Sequence, residues 1–281
     1  MVQFDNQYRQ IKIKIVYYGP ALGGKTTCLQ HVHRVTDPQR RTKLYSLNTA
    51  SDRTLFFDLL AVDLGRIRGY RLAMQLYTVP GQVQYNATRR AVLSGADGVV
   101  FVADSQADQR QANAMSLDNL WENLAANGLD RDTIPLVFQY NKQDLSPLLA
   151  IDELEHDLNH RGAPSFPSVA VTGDGVMDAF AAISEHTLAA VADRLGVGSS
   201  RKTVERLQEQ ARAALGPFVV EDQGEAPEDD VAVLKPQPDG GPDEPLSQEA
   251  LVDEAVHANV AMTDVNVRLD TTSRVPVSYT H

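Results

Sequence analysis

Apolar and polar positions alternate in a recognisable order along the first two hundred residues. Ile11, Ile13 and Ile15 alternate with Lys12 and Lys14, which predicts a strand over Ile11–Tyr18. Leu72, Met74 and Leu76 share one face of a second strand, Tyr70–Val79. Gly98–Ala103 is apolar throughout, the pattern of a central strand covered on both faces. Lys43–Leu47, Leu136–Tyr140 and Ser168–Val171 complete the predicted strands. Helices are predicted over Lys25–Val35, Asn86–Leu93, Asp108–Asn127, Ile151–Asn159 and Val176–Leu195. In the last of these Met177, Phe180, Ile183, Thr187, Leu188 and Val191 recur close to a 3.6 period. Alternating β and α segments imply an α/β fold with a mostly parallel sheet and helices on both faces. Ligands in such folds bind at the carboxyl ends of the strands.

The character changes after Gly196. Val204, Leu207, Ala211 and Leu215 suggest a short helix over residues 201–215. Gly216–Pro245 is rich in Pro, Gly and acids and reads as a disordered linker. Leu251, Ala255, Ala258, Met262, Val265 and Leu269 then form a short heptad seam within a helix at 247–270. That seam reads equally as a coiled-coil or docking helix for a partner at 251–269 and as a helix that forms only on binding. The expected organisation is one domain over residues 1–196 and a largely disordered extension over 197–281.

Charge follows the same division. The net charge of the 281 residues is −11. Residues 1–200 carry 19 Lys/Arg and 21 Asp/Glu, whereas residues 201–281 carry 7 and 16. No basic patch marks a nucleic-acid partner. No run of 18 apolar residues exists to span a membrane, and neither a secretion signal nor a lipidation motif is present. The single cysteine, Cys28, rules out an intramolecular disulfide and reads as a packing residue in a reducing, cytoplasmic setting.

The chemistry begins at Gly19-Pro20-Ala21-Leu22-Gly23-Gly24-Lys25-Thr26, a full G-x-x-x-x-G-K-[ST] match between a predicted strand and a predicted helix. Gly19, Gly23 and Gly24 let backbone amides converge on a phosphate, and the helix starting at Lys25 adds its positive end. Lys25 would reach the β and γ phosphates, and the Thr26 hydroxyl would ligate Mg²⁺. Thr27 completes the phosphate-side set.

Two further motifs follow predicted strands. Asn141-Lys142-Gln143-Asp144 matches N-K-x-D. The Asp144 carboxylate can accept hydrogen bonds from guanine N1–H and the exocyclic amine, neither of which adenine offers, so a site built on them rejects adenine. The Lys142 stem would lie along the base, and Asn141 would brace the loops. Thr78-Val79-Pro80-Gly81-Gln82 occupies the place that reads D-x-x-G-Q in Ras-like GTPases. There the Gly81 amide would sense the γ phosphate and Gln82 would orient the attacking water. Thr78 stands where an Asp usually holds Mg²⁺ through water, and its hydroxyl can still hydrogen-bond such a water. Thr172-Gly173-Asp174-Gly175 takes the place of a base-contacting loop that elsewhere reads S-A-K.

With these pieces placed, residues 8–195 resemble the mutual gliding-motility family of bacterial Ras-like GTPases, the MglA-like proteins. The resemblance rests on Tyr17-Tyr18-Gly19-Pro20 with Gly24-Lys25-Thr26-Thr27, Asp52-Arg53-Thr54-Leu55-Phe56-Phe57-Asp58, Ile67-Arg68-Gly69, Leu76–Gln82, Tyr85-Asn86-Ala87, Gly98–Gln106 and Gln139–Lys142. It implies a P-loop, Ras-like domain that binds GTP/GDP with Mg²⁺ and hydrolyses GTP. It also implies that Thr78 is a family feature. It further implies a roadblock-type (MglB-like) GTPase-activating partner, polarity or motility effectors, and recruitment of the cytoplasmic GTP form to a cell pole. Arg53 resembles an intrinsic arginine finger, against the alternative of a surface ion pair. Thr54 is preferred to Thr49 as the switch residue at Mg²⁺ or the γ phosphate.

Two rivals to a GTP-hydrolysing switch follow from the same residues. One is a nucleotide-binding scaffold with negligible turnover that acts through its tail. The other is an ATP-using P-loop enzyme. Elsewhere, His156 and His160 stand four apart beside Glu153 and Asp157, and an exposed polar helix face accounts for them more simply than a metal site. Trp121, Leu117, Leu120 and Leu124 read as a core stripe. Leu55, Phe56 and Phe57 read either as core or as a partner surface exposed in one nucleotide state, with partial burial that changes between states preferred.

Overall fold

The computed structural model describes residues 3–5, 9–47, 57–67, 70–194 and 231–234. Among them nine strands form one sheet in the order β8-β7-β6-β2-β5-β4-β3-β9, with β1 pairing β2 off that path. The strands are β1 (Gln3–Asp5), β2 (Gln10–Tyr18), β3 (Leu44–Leu47), β4 (Asp58–Ile67), β5 (Tyr70–Thr78), β6 (Gly98–Asp104), β7 (Leu136–Asn141), β8 (Ser165–Pro167) and β9 (Val231–Leu234). The helices are α1 (Lys25–Val35), α2 (Asn86–Leu93), α3 (Arg110–Ala126), α4 (Ile151–Leu158) and α5 (Val176–Arg194). Strands β5, β2, β6, β7 and β8 run parallel, and β4 is antiparallel to both of its neighbours.

The two faces of the sheet are covered by different helices. Ile13, Ile15 and Tyr17 of β2 pack with Leu72, Met74 and Leu76 of β5 beneath Leu29 and Val32 of α1 and Phe180 and Ile183 of α5. On the other face the Tyr18 hydroxyl donates to Asn119 of α3 at 2.6 Å. Phe101 and Phe138 meet at 5.6 Å with their rings tilted by 60°, and of the stripe expected on α3 Leu117, Leu120 and Leu124 are buried while Trp121 is partly buried. Every residue of β6 is buried, which is why that strand shows no alternation. A Cβ at Gly98 would lie 2.4 Å from Thr187 Oγ1, so this glycine sets the approach of α5 to the sheet.

Three sequence expectations require correction. The ten-residue strand β4 was not predicted. Its Leu60, Val62 and Leu64 face the core, but Gly65 (φ +94) sits at a register shift between Asp63 and Arg66 that breaks the alternation. The strand expected over Ser168–Val171 lies earlier, at Ser165–Pro167, and residues 168–175 form a loop closed by a Val169–Asp174 bridge. Val231–Leu234, inside the stretch read as a disordered linker, pairs with β3 in parallel and belongs to the compact unit ending at Lys235. The helices expected at 201–215 and 247–270, with the seam Leu251–Leu269, lie outside the described residues.

Candidate functional site

The carboxyl ends of β2, β5, β6 and β7 open onto one edge, and the loops leaving them carry the sequence motifs. After β2, Gly19 adopts φ +145, and a Cβ there would lie 2.1 Å from the Val102 carbonyl oxygen. Gly24 caps α1 in the left-handed region, where a Cβ would lie 2.1 Å from Asn141 Nδ2. Both positions need glycine for conformation and for space. The loop then turns directly into α1, whose first-turn amides have no intrahelical partner and form an anion-binding end.

Lys25 is 6 % exposed, and its ammonium donates to the carbonyls of Gly19 (3.0 Å) and Pro20 (2.6 Å). Burial lowers its pKa to about 8, and the nearby Arg89 guanidinium adds to the effect. Arg89, on α2, is itself buried, and its charge is felt at Lys25. Sequence reasoning gave Arg89 no role, since nothing in the one-dimensional pattern places α2 against the P-loop.

Asp58 is the main residue that sequence reasoning missed. Its buried carboxylate opens β4 and gathers three hydroxyls. Thr26 donates to Oδ2 at 2.6 Å, Thr78 to Oδ2 at 2.9 Å and Ser46 to Oδ1 at 2.7 Å. The Asp58 amide donates back to Thr78 Oγ1 at 2.8 Å. An acid is therefore present beside Thr78, supplied from the neighbouring strand. One carboxylate and three hydroxyls are hard oxygen donors, a set that suits Mg²⁺. Thr78 stands where an acid is usual, and that substitution is the one sequence signal that an acid is supplied from elsewhere.

Gly81 backs directly onto the P-loop. A Cβ there would lie 2.4 Å from Ala21 Cα and 2.5 Å from its amide nitrogen. Gln82 is exposed and accepts from Gln84 at 3.2 Å. Arg53, Thr54 and Thr49 lie outside the described residues, as do Leu55 and Phe56. Phe57 is buried and sits 6.3 Å from the Tyr77 ring.

The N-K-x-D loop is fixed from several sides. Asn141 Nδ2 donates to the Gly23 carbonyl at 2.9 Å, and Asn141 Oδ1 accepts from the Ala170 amide at 2.9 Å and Ser168 Oγ at 3.2 Å. Lys142, at φ +68, is tied to the buried Asp104 carboxylate by its ammonium. Gln143 donates to Ser105 Oγ at 2.7 Å. Asp144 remains exposed at the end of this loop. Thr172 donates to Asp174 at 2.7 Å. The adjacent Gly173 lies against the His31 ring, where a Cβ would come within 1.8 Å. His31 thus supports this loop, a contact no sequence spacing signals.

The remaining candidates resolve into structure. Cys28 is buried, accepts from Gln139 at 3.1 Å, and has its thiol pKa pushed up to about 12 by burial. Arg110 pairs with Asp157 at 2.6 Å and Glu153 at 3.5 Å, and His160 falls beyond the end of α4. Among the described residues no cluster of three His, Cys, Asp or Glu could hold a metal, and no helix is long and apolar enough to cross a membrane.

Two comparisons with known proteins agree with this geometry. Residues 2–187 match the profile of the ADP-ribosylation factor family. The chain is 52 % identical over 180 residues to the mutual gliding-motility protein MglA of Myxococcus xanthus (strain DK1622), a match covering 64 % of this chain and 92 % of that relative.

Proposed function

The chain belongs to the ADP-ribosylation factor family and is a small GTPase that converts GTP to GDP and phosphate, and from that premise we propose that it is a switch controlling cell polarity or motility through partners that bind one nucleotide state. The observation that carries the reading is Asn141, which ties the P-loop at Gly23 to the loop at Ala170. Phosphate cradle and base-reading loop then behave as one unit, so the occupant must satisfy both.

In this reading the amides at the start of α1 and the Lys25 ammonium hold the phosphates, and Asp144 reads guanine. Thr26, Asp58 and Thr78 would hold Mg²⁺, with Thr54 added from the switch. That ion would neutralise charge on the β and γ phosphates. Gln82 orients the attacking water, and Arg53 offsets the charge that builds on the transferring phosphoryl group. Gly81, in backbone contact with the P-loop, relays the presence of the γ phosphate to α2. A roadblock-type (MglB-like) activating partner completes the cycle, and the GTP form collects at a cell pole.

Single-turnover GTP hydrolysis with the activating partner tests the assignment. Arg53→Ala and Gln82→Leu should each slow the reaction by at least about tenfold, and rates equal to wild type would end it. A scaffold without turnover would show no stimulation by that partner. Displacement of bound GDP by ATP as effectively as by GTP would defeat the role given to Asp144.

A further inference from the structure

Strand β3 ends the matched part of the sheet, and its free edge is taken by a segment of the same chain. The register is Leu44↔Val231, Tyr45↔Ala232, Ser46↔Val233 and Leu47↔Leu234, all parallel. The family profile ends at residue 187, and 180 matched residues already use 92 % of the gliding-motility relative. The added strand therefore comes from a part of this chain which that relative has little room to share.

The segment is built as a short edge strand. Val231-Ala232-Val233-Leu234 is apolar, is preceded by Glu228-Asp229-Asp230, and is stopped by Lys235-Pro236. Charges and proline flanking a short apolar strand limit its pairing to one place. Parallel strands are entered from the same end, and the sequence supplies opposite charges there, with Arg40, Arg41 and Lys43 ahead of β3 and three acids ahead of β9.

An open strand edge is a template for any extended segment, whether intrachain or from another protein. The β3 edge also lies close to the nucleotide site. Ser46, level with Val233, donates to Asp58 Oδ1 at 2.7 Å, and the other oxygen of that carboxylate holds the hydroxyls of Thr26 and Thr78. We propose that Val231–Leu234 is an intrachain plug for the β3 edge, which excludes partner proteins that add a β-strand there and steadies the Ser46–Asp58–Thr26 chain. The docking stands on strand register alone. Its control of nucleotide release rests on the GTPase switch described above.

The test uses full-length protein carrying Ala232→Pro and Val233→Pro together. Strand amides alternate in direction, so one of the two prolines removes a donor facing β3. Hydrogen exchange over Leu44–Leu47 should accelerate at least about tenfold, and release of a fluorescent GDP analogue should accelerate several-fold, because β9 no longer steadies β3 and the Ser46 it carries. Unchanged exchange over Leu44–Leu47 would overturn the docking. Faster exchange with unchanged release would overturn the coupling and leave docking and switch intact. Protection that rises with protein concentration in the wild type would assign the strand to a second copy and overturn the intrachain plug. A chain that holds no guanine nucleotide would sink the switch reading, while the exchange result would still judge the docking.

Discussion

Thr26 donates its hydroxyl proton to Asp58 at 2.6 Å across 32 positions of sequence. The P-loop hydroxyl and the first residue of β4 thereby share one partly buried contact, and Thr78 joins it from β5. In Asp58→Asn the shape of this cluster survives and the charge does not. Removing one carboxylate charge beside a divalent cation costs on the order of a few kcal/mol at the intermediate dielectric of a partly buried site. The expected outcome is a loss of about tenfold or more in Mg²⁺ affinity, read as GDP release against magnesium concentration. Retention of wild-type magnesium dependence would remove Asp58 from the metal side of the site.

Asn141→Ala strands two buried partners, the Gly23 carbonyl and the Ala170 amide. Each unsatisfied group costs about 1–3 kcal/mol. The variant should melt measurably lower than wild type and should release GDP at least about tenfold faster, because phosphate loop and base loop lose their tie. Thermal unfolding and stopped-flow release check the two parts separately.

Gly81→Ala places a methyl carbon against the Ala21 backbone, which cannot rotate away as a side chain tip would. Overpacking of this kind costs about 1–3 kcal/mol. Here the strain falls between the P-loop and the segment leading to α2. GTP turnover should drop by about tenfold or more, while GDP affinity drops less, if Gly81 has the γ-phosphate role proposed for it. Turnover and nucleotide affinity measured on one preparation decide this.

Lys25 links nucleotide binding to protons. Its pKa of about 8 in the folded chain lies below the ordinary lysine value, so between about pH 8 and 10.5 the unfolded chain holds the proton that the folded chain has lost. Stability contributed by Lys25 therefore rises with pH across that window and is constant below it. Binding runs the other way. A diphosphate beside the amine favours the ammonium, so at pH 9 GDP binding should take up close to one proton and should weaken as pH rises further. Calorimetry in two buffers of different ionisation enthalpy measures the uptake, and Lys25→Met should abolish it.

Motifs with fixed spacing were readable because their chemistry is local. The P-loop sits between β2 and α1, where Gly24 must take a left-handed backbone before Lys25 can begin the helix. The helices expected over Lys25–Val35 and Asn86–Leu93 form on those residues. Strand β4 was hidden because Gly65 and the register shift beside it interrupt a period-two pattern. Strand β9 was hidden because four apolar residues among acids and prolines carry no periodic signal of their own.

The amino-acid order alone determined the alternating β/α layers, the phosphate loop and the guanine motif, since each depends on neighbours a few positions apart. Tertiary structure alone brought Asp58 to Thr26 and Thr78, Arg89 toward Lys25, His31 under Gly173, and Val231–Leu234 onto β3. Those relationships join residues tens to nearly two hundred positions apart. Strand order and helix packing create them, and no local pattern of side chains encodes which distant strand will lie alongside which.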